Sequence, residues 1–169
     1  MIRKLGLGAV ILGIAAMALG AFAPSASAEE GRGDVTLVGR GVLDARGTGL
    51  AAVKGRMDMH IEADRAILLV KDIAGGAVIH VEGTGETASW NGFTVYFGTG
   101  QADIVGRHVA VIVVGKEIDL HVEGKGWAFL KGEGRFTVNG RGPFPWNPNG
   151  DFAGIDDGGV DPPPEAPAN

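Results

Sequence analysis

Cysteine is absent from the 169 residues, so no disulfide braces this chain and no thiol is available as nucleophile or metal ligand. Serine is nearly absent as well. Beyond Ala28 only Ser89 remains, with no histidine close to it in sequence. A serine triad, which depends on a positioned base, has no visible support. Basic residues are few and scattered, 15 Lys and Arg against 20 Asp and Glu, for a formal net charge of -5. Without a basic cluster or stripe, nucleic acid and anionic membranes are poor partners. Beyond the first apolar run, no window sustains a helical period.

That first run reads as an export signal. Arg3 and Lys4 precede an apolar stretch over residues 5–22, and Ala26-Ser27-Ala28 gives a small-residue cleavage site before Glu29. The pattern predicts a Sec-type signal peptide over residues 1–28, cleaved after Ala28. No cysteine follows it to take a lipid anchor. The mature chain is expected to be secreted or periplasmic, with no membrane span.

What the chain has in abundance is alternation and glycine, the latter at 30 residues. From Ile118 to Trp146 every even position is apolar or glycine, and most odd positions are polar. Residues 39–63 repeat the pattern in the other parity. Such alternation is the mark of extended chain with one buried face. Residues 66–70 and 108–114 are apolar on both faces and read as central strands. Residues 78–82 and 93–97 add shorter strands. The expected inward set is Leu43, Val53, Met57, Met59, Ile61, Ile67, Leu69, Ile79, Val81, Phe93, Val95, Leu120, Val122, Leu130, Phe136 and Val138.

Gly-x-Gly recurs at Gly39/Gly41, Gly47/Gly49, Gly124/Gly126, Gly132/Gly134 and Gly140/Gly142. A two-residue hairpin would flip the parity of the strands it joins. Parity here survives each Gly-x-Gly, so the chain bends sharply or turns through odd-length loops. The expected fold is all-β: antiparallel, glycine-kinked strands in a flattened barrel or a two-sheet sandwich, over residues 29–146. Three near copies, residues 59–63, 79–83 and 120–124, allow a β-solenoid as the alternative. Residues 147–169, rich in Pro, Gly and Asp, read as a disordered acidic tail.

The copies carry three His-x-Glu pairs: His60/Glu62, His80/Glu82 and His121/Glu123. On a strand, residues i and i+2 share a face, so each pair sets an imidazole beside a carboxylate. On adjacent strands they would make a ladder able to bind zinc or copper. The plainer reading is the wet side of half-buried strands. Four aromatics, Trp90, Tyr96, Trp127 and Phe129, fall on the polar parity and would offer a stacking surface to a glycan or a protein partner. Carboxylate pairs such as Glu82/Glu86 are solvated more readily than they are catalytic. No catalytic residue and no cofactor is expected.

Residues 66–83 and 120–140, with their Gly-x-Gly spacings and His-Val-Glu-Gly, resemble segments of uncharacterised exported Gly-rich β-proteins of bacteria and archaea. That resemblance implies no activity, cofactor or catalytic residue. The expectation is an exported non-catalytic structural or binding module of the cell envelope or medium, not an enzyme. The alternative is a metal-binding protein built on the His-x-Glu pairs.

Overall fold

A computed structural model of the chain describes residues 40–156. The export signal expected over residues 1–28 lies outside them. Alternating residues with apolar or glycine inner positions produce strand almost throughout, and there is no helix among the described residues. The strands are β1 (Gly41–Asp72), β2 (Val78–Trp90), β3 (Phe93–Val138), β4 (Arg141–Pro145) and β5 (Asp151–Ile155). All five pair antiparallel, in the order β1-β3-β2, with β4 and β5 also on β3. The sheet does not close into a barrel, because β2 ends the path. The flattened-barrel expectation is corrected accordingly.

β1 at 32 residues and β3 at 46 far exceed an ordinary strand of roughly 5–6 residues. They do so because the hydrogen-bond ladder runs through bends. β1 pairs with β3 along both its edges. Along one, the register is unbroken from Leu43↔Val138 to Glu62↔Asp119. Along the other it slips by one residue between Gly47↔Ile118 and Gly49↔Gly115, and again between Gly55↔Val109 and Met57↔Gly106. These slips are β-bulges, which bend a strand and add twist.

Glycine is required at the bends. A Cβ on Gly49 would strike the Lys131 carbonyl oxygen and come within 3.0 Å of the Gly132 Cα, and its φ is +145°. Gly55 stands in the same relation to Lys125 and Gly126, with a φ of +153°. The two backbones touch where side chains would otherwise hold them apart.

The inner face forms one core cluster. Leu43, Met59, Leu120, Val122 and Leu130 are at most 1% exposed, and no polar side chain is buried among the described residues. Val53, Met57, Ile61 and Val138 join them as expected, with Ile79, Val81 and Phe136 packed against the margin.

Four members of the expected inward set are not in this cluster. Ile67, Leu69, Phe93 and Val95 face the opposite way, and Ala66, Leu68 and Val70 take the inner positions. On β1 the cause is Arg65, whose left-handed φ of 47° inverts the parity of the strand; on β3, Val95 stands opposite Leu69 in register and shares its side. Leu69 and Val95 (0% exposed) and Phe93 (3%) are nevertheless buried, beside Ala52 and Ile112, on that second face. The two-sided apolar character therefore holds for residues 66–70 and, within 108–114, for 109–113, whereas His108 is exposed.

The tail expectation also needs correction. Residues 151–155 form β5 on β3, with Ala153 and Ile155 buried in the core. Asn147 starts the turn, accepting through its carbonyl from the Gly150 amide at 2.9 Å and through Oδ1 from the Asn149 amide at 2.8 Å. Two alternating inner residues, Ala153 and Ile155, with Phe152 against Phe129 on the other face, dock this strand onto the edge of β3. Residues 157–169 lie outside the described part.

The bends set a test of stability. In urea denaturation, Gly49→Ala is expected to cost about 3 kcal/mol or more, from backbone strain and overpacking together. Gly75→Ala, with nothing within 4 Å of its added Cβ, is expected to cost only about 1 kcal/mol for its left-handed backbone. Equal losses at both positions would refute close backbone contact as the reason for glycine.

Candidate functional site: a histidine–carboxylate row

The three His-x-Glu pairs come together on the face opposite the core. Register places them in one cross-strand row, Thr137–Asp44–His121–His60–Asp103–His80. His60 and His121 are direct neighbours; His80 is separated from His60 by Asp103. The adjoining row reads Arg135–Arg46–Asp119–Glu62–Gln101–Glu82, and on the other side lie Val42, Glu123, Asp58, Val105 and Val78. Carboxylates dominate the face, and Arg46 and Arg135 are the arginines in these rows. The arrangement follows from the sequence because successive residues alternate sides. With Met59, Ile61, Leu120 and Val122 fixed inward, His60, Glu62, His121 and Glu123 must point out.

Each imidazole has a carboxylate as its closest partner. His60 Nδ1 donates to Asp103 Oδ1 at 2.7 Å, and its Nε2 lies 3.4 Å from Glu62 Oε1. His121 repeats the geometry, with Asp44 Oδ1 at 2.7 Å and Glu123 Oε1 at 3.4 Å. His80 Nε2 is 2.8 Å from Glu82 Oε1, and Gln101 donates to the other oxygen of Glu82 at 2.9 Å. A ring with an acceptor at each nitrogen is best satisfied as the imidazolium, which donates from both. The hydrogen bond to Asp103 accordingly raises the pKa of His60 above the ordinary histidine value, with Glu62 adding to it against some desolvation. Asp44 does the same for His121, assisted by Glu123. Glu82 is held below the usual carboxylate range, first by His80 and then by Gln101.

Metal ligation would need these nitrogens as neutral lone-pair donors. At His60 and His121 the carboxylates at hydrogen-bond distance favour the proton instead. Among the described residues no group of three His, Asp or Glu side chains is arranged to hold a metal ion.

The four aromatics do not form one surface. Trp127 is 38% exposed, on the same strand face as Phe129. Phe129 is half-buried against Phe152 of β5, with ring centroids 4.9 Å apart. Trp90 stacks on Phe93 at the β2–β3 hairpin, with centroids 6.4 Å apart. Tyr96 packs against the core cluster instead of facing solvent. It pairs in register with Leu68, an inner residue since the inversion at Arg65, so it shares the inner side.

Sequence reasoning missed Asp44, Asp103 and Gln101, which complete the site from neighbouring strands. One sign was available. Asp44-x-Arg46 stands at the same spacing from His60-x-Glu62 as Gly39-x-Gly41 does from Gly55, so the two segments occupy matching places in the winding, and both face His121.

The raised histidines give a pH dependence with a definite sign. A group whose folded pKa exceeds its unfolded value of about 6.5 contributes fully below that value and loses the contribution as pH rises through the folded pKa. Both rings are well exposed, so solvent screening limits each to about 0.5 kcal/mol. The thermal midpoint is expected to fall by on the order of 4 °C between pH 6 and pH 8. The double variant Asp44→Asn/Asp103→Asn should flatten that change, and a flat wild-type profile would contradict the assignment. No protein-family model matches the chain, and no curated protein and no solved structure matches it.

Proposed function

We propose that this chain is an exported, non-catalytic structural or binding module of the cell envelope or medium, secreted or periplasmic, and that the histidine–carboxylate face is its working surface. The observation that carries the reading is the convergence of all three repeat copies on one exposed row. The side chains of His60, His80 and His121 are 41%, 66% and 44% exposed. A wide, acidic, rigidly backed face suits a partner that is itself extended and bears cationic or hydrogen-bond-donating groups, as a protein or a glycan does. Such a face is a poor catalyst, because charges at an open surface act in water, where their effect on a transition state is weak. The half-open pocket beside Tyr96 and Leu68 has a volume of about 20 Å³, enough for roughly one water.

The finer architecture fits this role. We read the bent strands as two layers of a flattened sandwich, one bearing the polar face and the other the second apolar face. The support is that residues on both sides of each glycine bend, such as Ala45 and Ala51, or Val53 and Met57, contribute to one core cluster. The winding has a solenoid-like repeat, since Asp44 and His60 both face His121.

Poly-L-lysine serves as a model cationic partner. Binding is expected to weaken with salt and to fall roughly tenfold in the variant Asp44→Asn/Glu62→Gln/Asp103→Asn/Glu123→Gln. A control variant that neutralises Asp72, Glu86, Glu133 and Asp151 instead should bind nearly as well as wild type. Equal losses in the two variants would show that net charge, and not this face, is responsible.

The second reading is a metal-binding protein using the same pairs, favoured by the adjacency of His60 and His121. It requires the purified chain to hold near-stoichiometric zinc or copper that is lost in His121→Ala, which removes one of the two adjacent imidazoles. Stable, metal-free protein would remove it.

A further inference from the structure

The repeat motif already pairs with itself inside the fold. The copies around His60 and His121 run antiparallel, with Asp58↔Glu123, Met59↔Val122, His60↔His121, Ile61↔Leu120 and Glu62↔Asp119. Apolar positions meet apolar positions on the inner side, and imidazole meets imidazole on the outer side. The third copy, residues 78–82 in β2, has no copy opposite it; its neighbour is the Gln101–Ala102–Asp103–Ile104–Val105 run of β3.

β2 is also an open edge. Among the described residues it pairs only with β3, and most of its 13 residues are exposed. Natural edges are guarded by lysine, proline or bulges. β4, at the other end of the sheet, carries Pro143 and Pro145. β2 contains no lysine, arginine or proline, and its only irregularity, between Glu82 and Glu86, leaves residues 78–82 straight. The core is thin beneath them: Ile79 and Val81 are only partly buried. Two exposed hydrophobics stand together here, Val78 at 68% and Val105 at 48% exposure, paired across the strands.

From these features we infer that residues 78–82 of β2 pair antiparallel with the same residues of a second copy of this chain, about a two-fold axis at His80. The pairing places Ile79 of one copy opposite Val81 of the other, continuing the inner rows that run through Ile104 and Ala102. It sets His80 against His80 as His60 is set against His121, and Val78 against Glu82. The occupant is a second copy because the motif's complement, realised once within the chain, is the motif itself. A two-fold contact of this kind closes on itself and ends in a dimer.

Sedimentation velocity over a wide concentration range tests it, with circular dichroism to verify folding. The purified wild-type chain is expected to pass from monomer to dimer. Val78→Lys sets an ammonium against each Glu82 of the partner copy and tightens the dimer, whereas Val78→Glu sets carboxylates together and loosens it, each by roughly threefold to tenfold. Both changes fall at an exposed side chain, so the fold is retained. Thr87→Lys, beyond the irregularity, leaves the dimer unchanged. A chain that stays monomeric at every concentration, as it would if the edge served an unrelated extended peptide, overturns the inference. So does association that ignores both Val78 substitutions, or that responds as strongly to Thr87→Lys.

Discussion

A chain that bends about every eight residues while keeping its ladder hydrogen bonds must bring two backbones into the space a Cβ would fill. Gly47 against Gly134, Gly49 against Gly132 and Gly55 against Gly126 are such places. Breaking the ladder at each bend would leave backbone N–H and C=O groups without partners, at a cost comparable to lost hydrogen bonds. Glycine avoids that cost and accepts an entropic one instead, since it loses more freedom on folding than any other residue. In a cysteine-free domain the aliphatic core alone must offset that entropy. The inner positions accordingly hold Leu, Ile, Val and Met with no buried polar side chain among the described residues.

The same constraint fixes where function can sit. With the inner parity committed to the core, the outer parity is free to vary, and it varies differently on the two sides of each bend. Before Gly47 and after Gly55 it carries Asp44, Asp58, His60 and Glu62; between them it carries Leu50, Ala52 and Lys54. The left-handed residues Arg65 and Glu117, with φ of 47° and 49°, invert the parity of the chain that passes through them. They allow residues 66–70 and 109–113 to present a full apolar set inward while Leu69 and Ile112 form a second apolar row outward.

Much of this was legible in the sequence, and the failures have definite causes. Alternation identified the strands and placed Leu43, Met59, Leu120, Val122 and Leu130 correctly, because period-two burial is local. The inversion at Arg65 was not legible. Residues 66–70 are apolar in both parities, so a single left-handed residue decides which set faces the core. Asn91-Gly92 and Asn139-Gly140 both adopt positive φ and join β2 to β3 and β3 to β4, the two-residue hairpin that this dipeptide favours. The second was absorbed into a longer alternating run that treated Gly140 and Gly142 as another bend. The site was half legible. His-x-Glu spacing put imidazole and carboxylate on one face, but the stronger partners, Asp44 and Asp103, arrive by register across chain separations that no local pattern encodes.

The order Asp–His–His–Asp–His has a physical logic of its own. Antiparallel pairing of repeat copies sets each residue against its own kind, so a motif centred on histidine stacks imidazole on imidazole, and like charges directly opposite one another are destabilising. Compensation has to come from strands that depart from the repeat. Residues 42–46 and 101–105 are those strands, and each substitutes aspartate at the histidine position of the row. His121 and His60 thus face each other with an aspartate behind each, and the repulsion that protonation would create is absorbed outward. The acidic excess of this face is in that sense required by the repeat before any partner is considered. A cationic partner that binds there competes with His60 and His121 for carboxylates those rings already engage, so its grip depends on whether the two imidazoles are protonated.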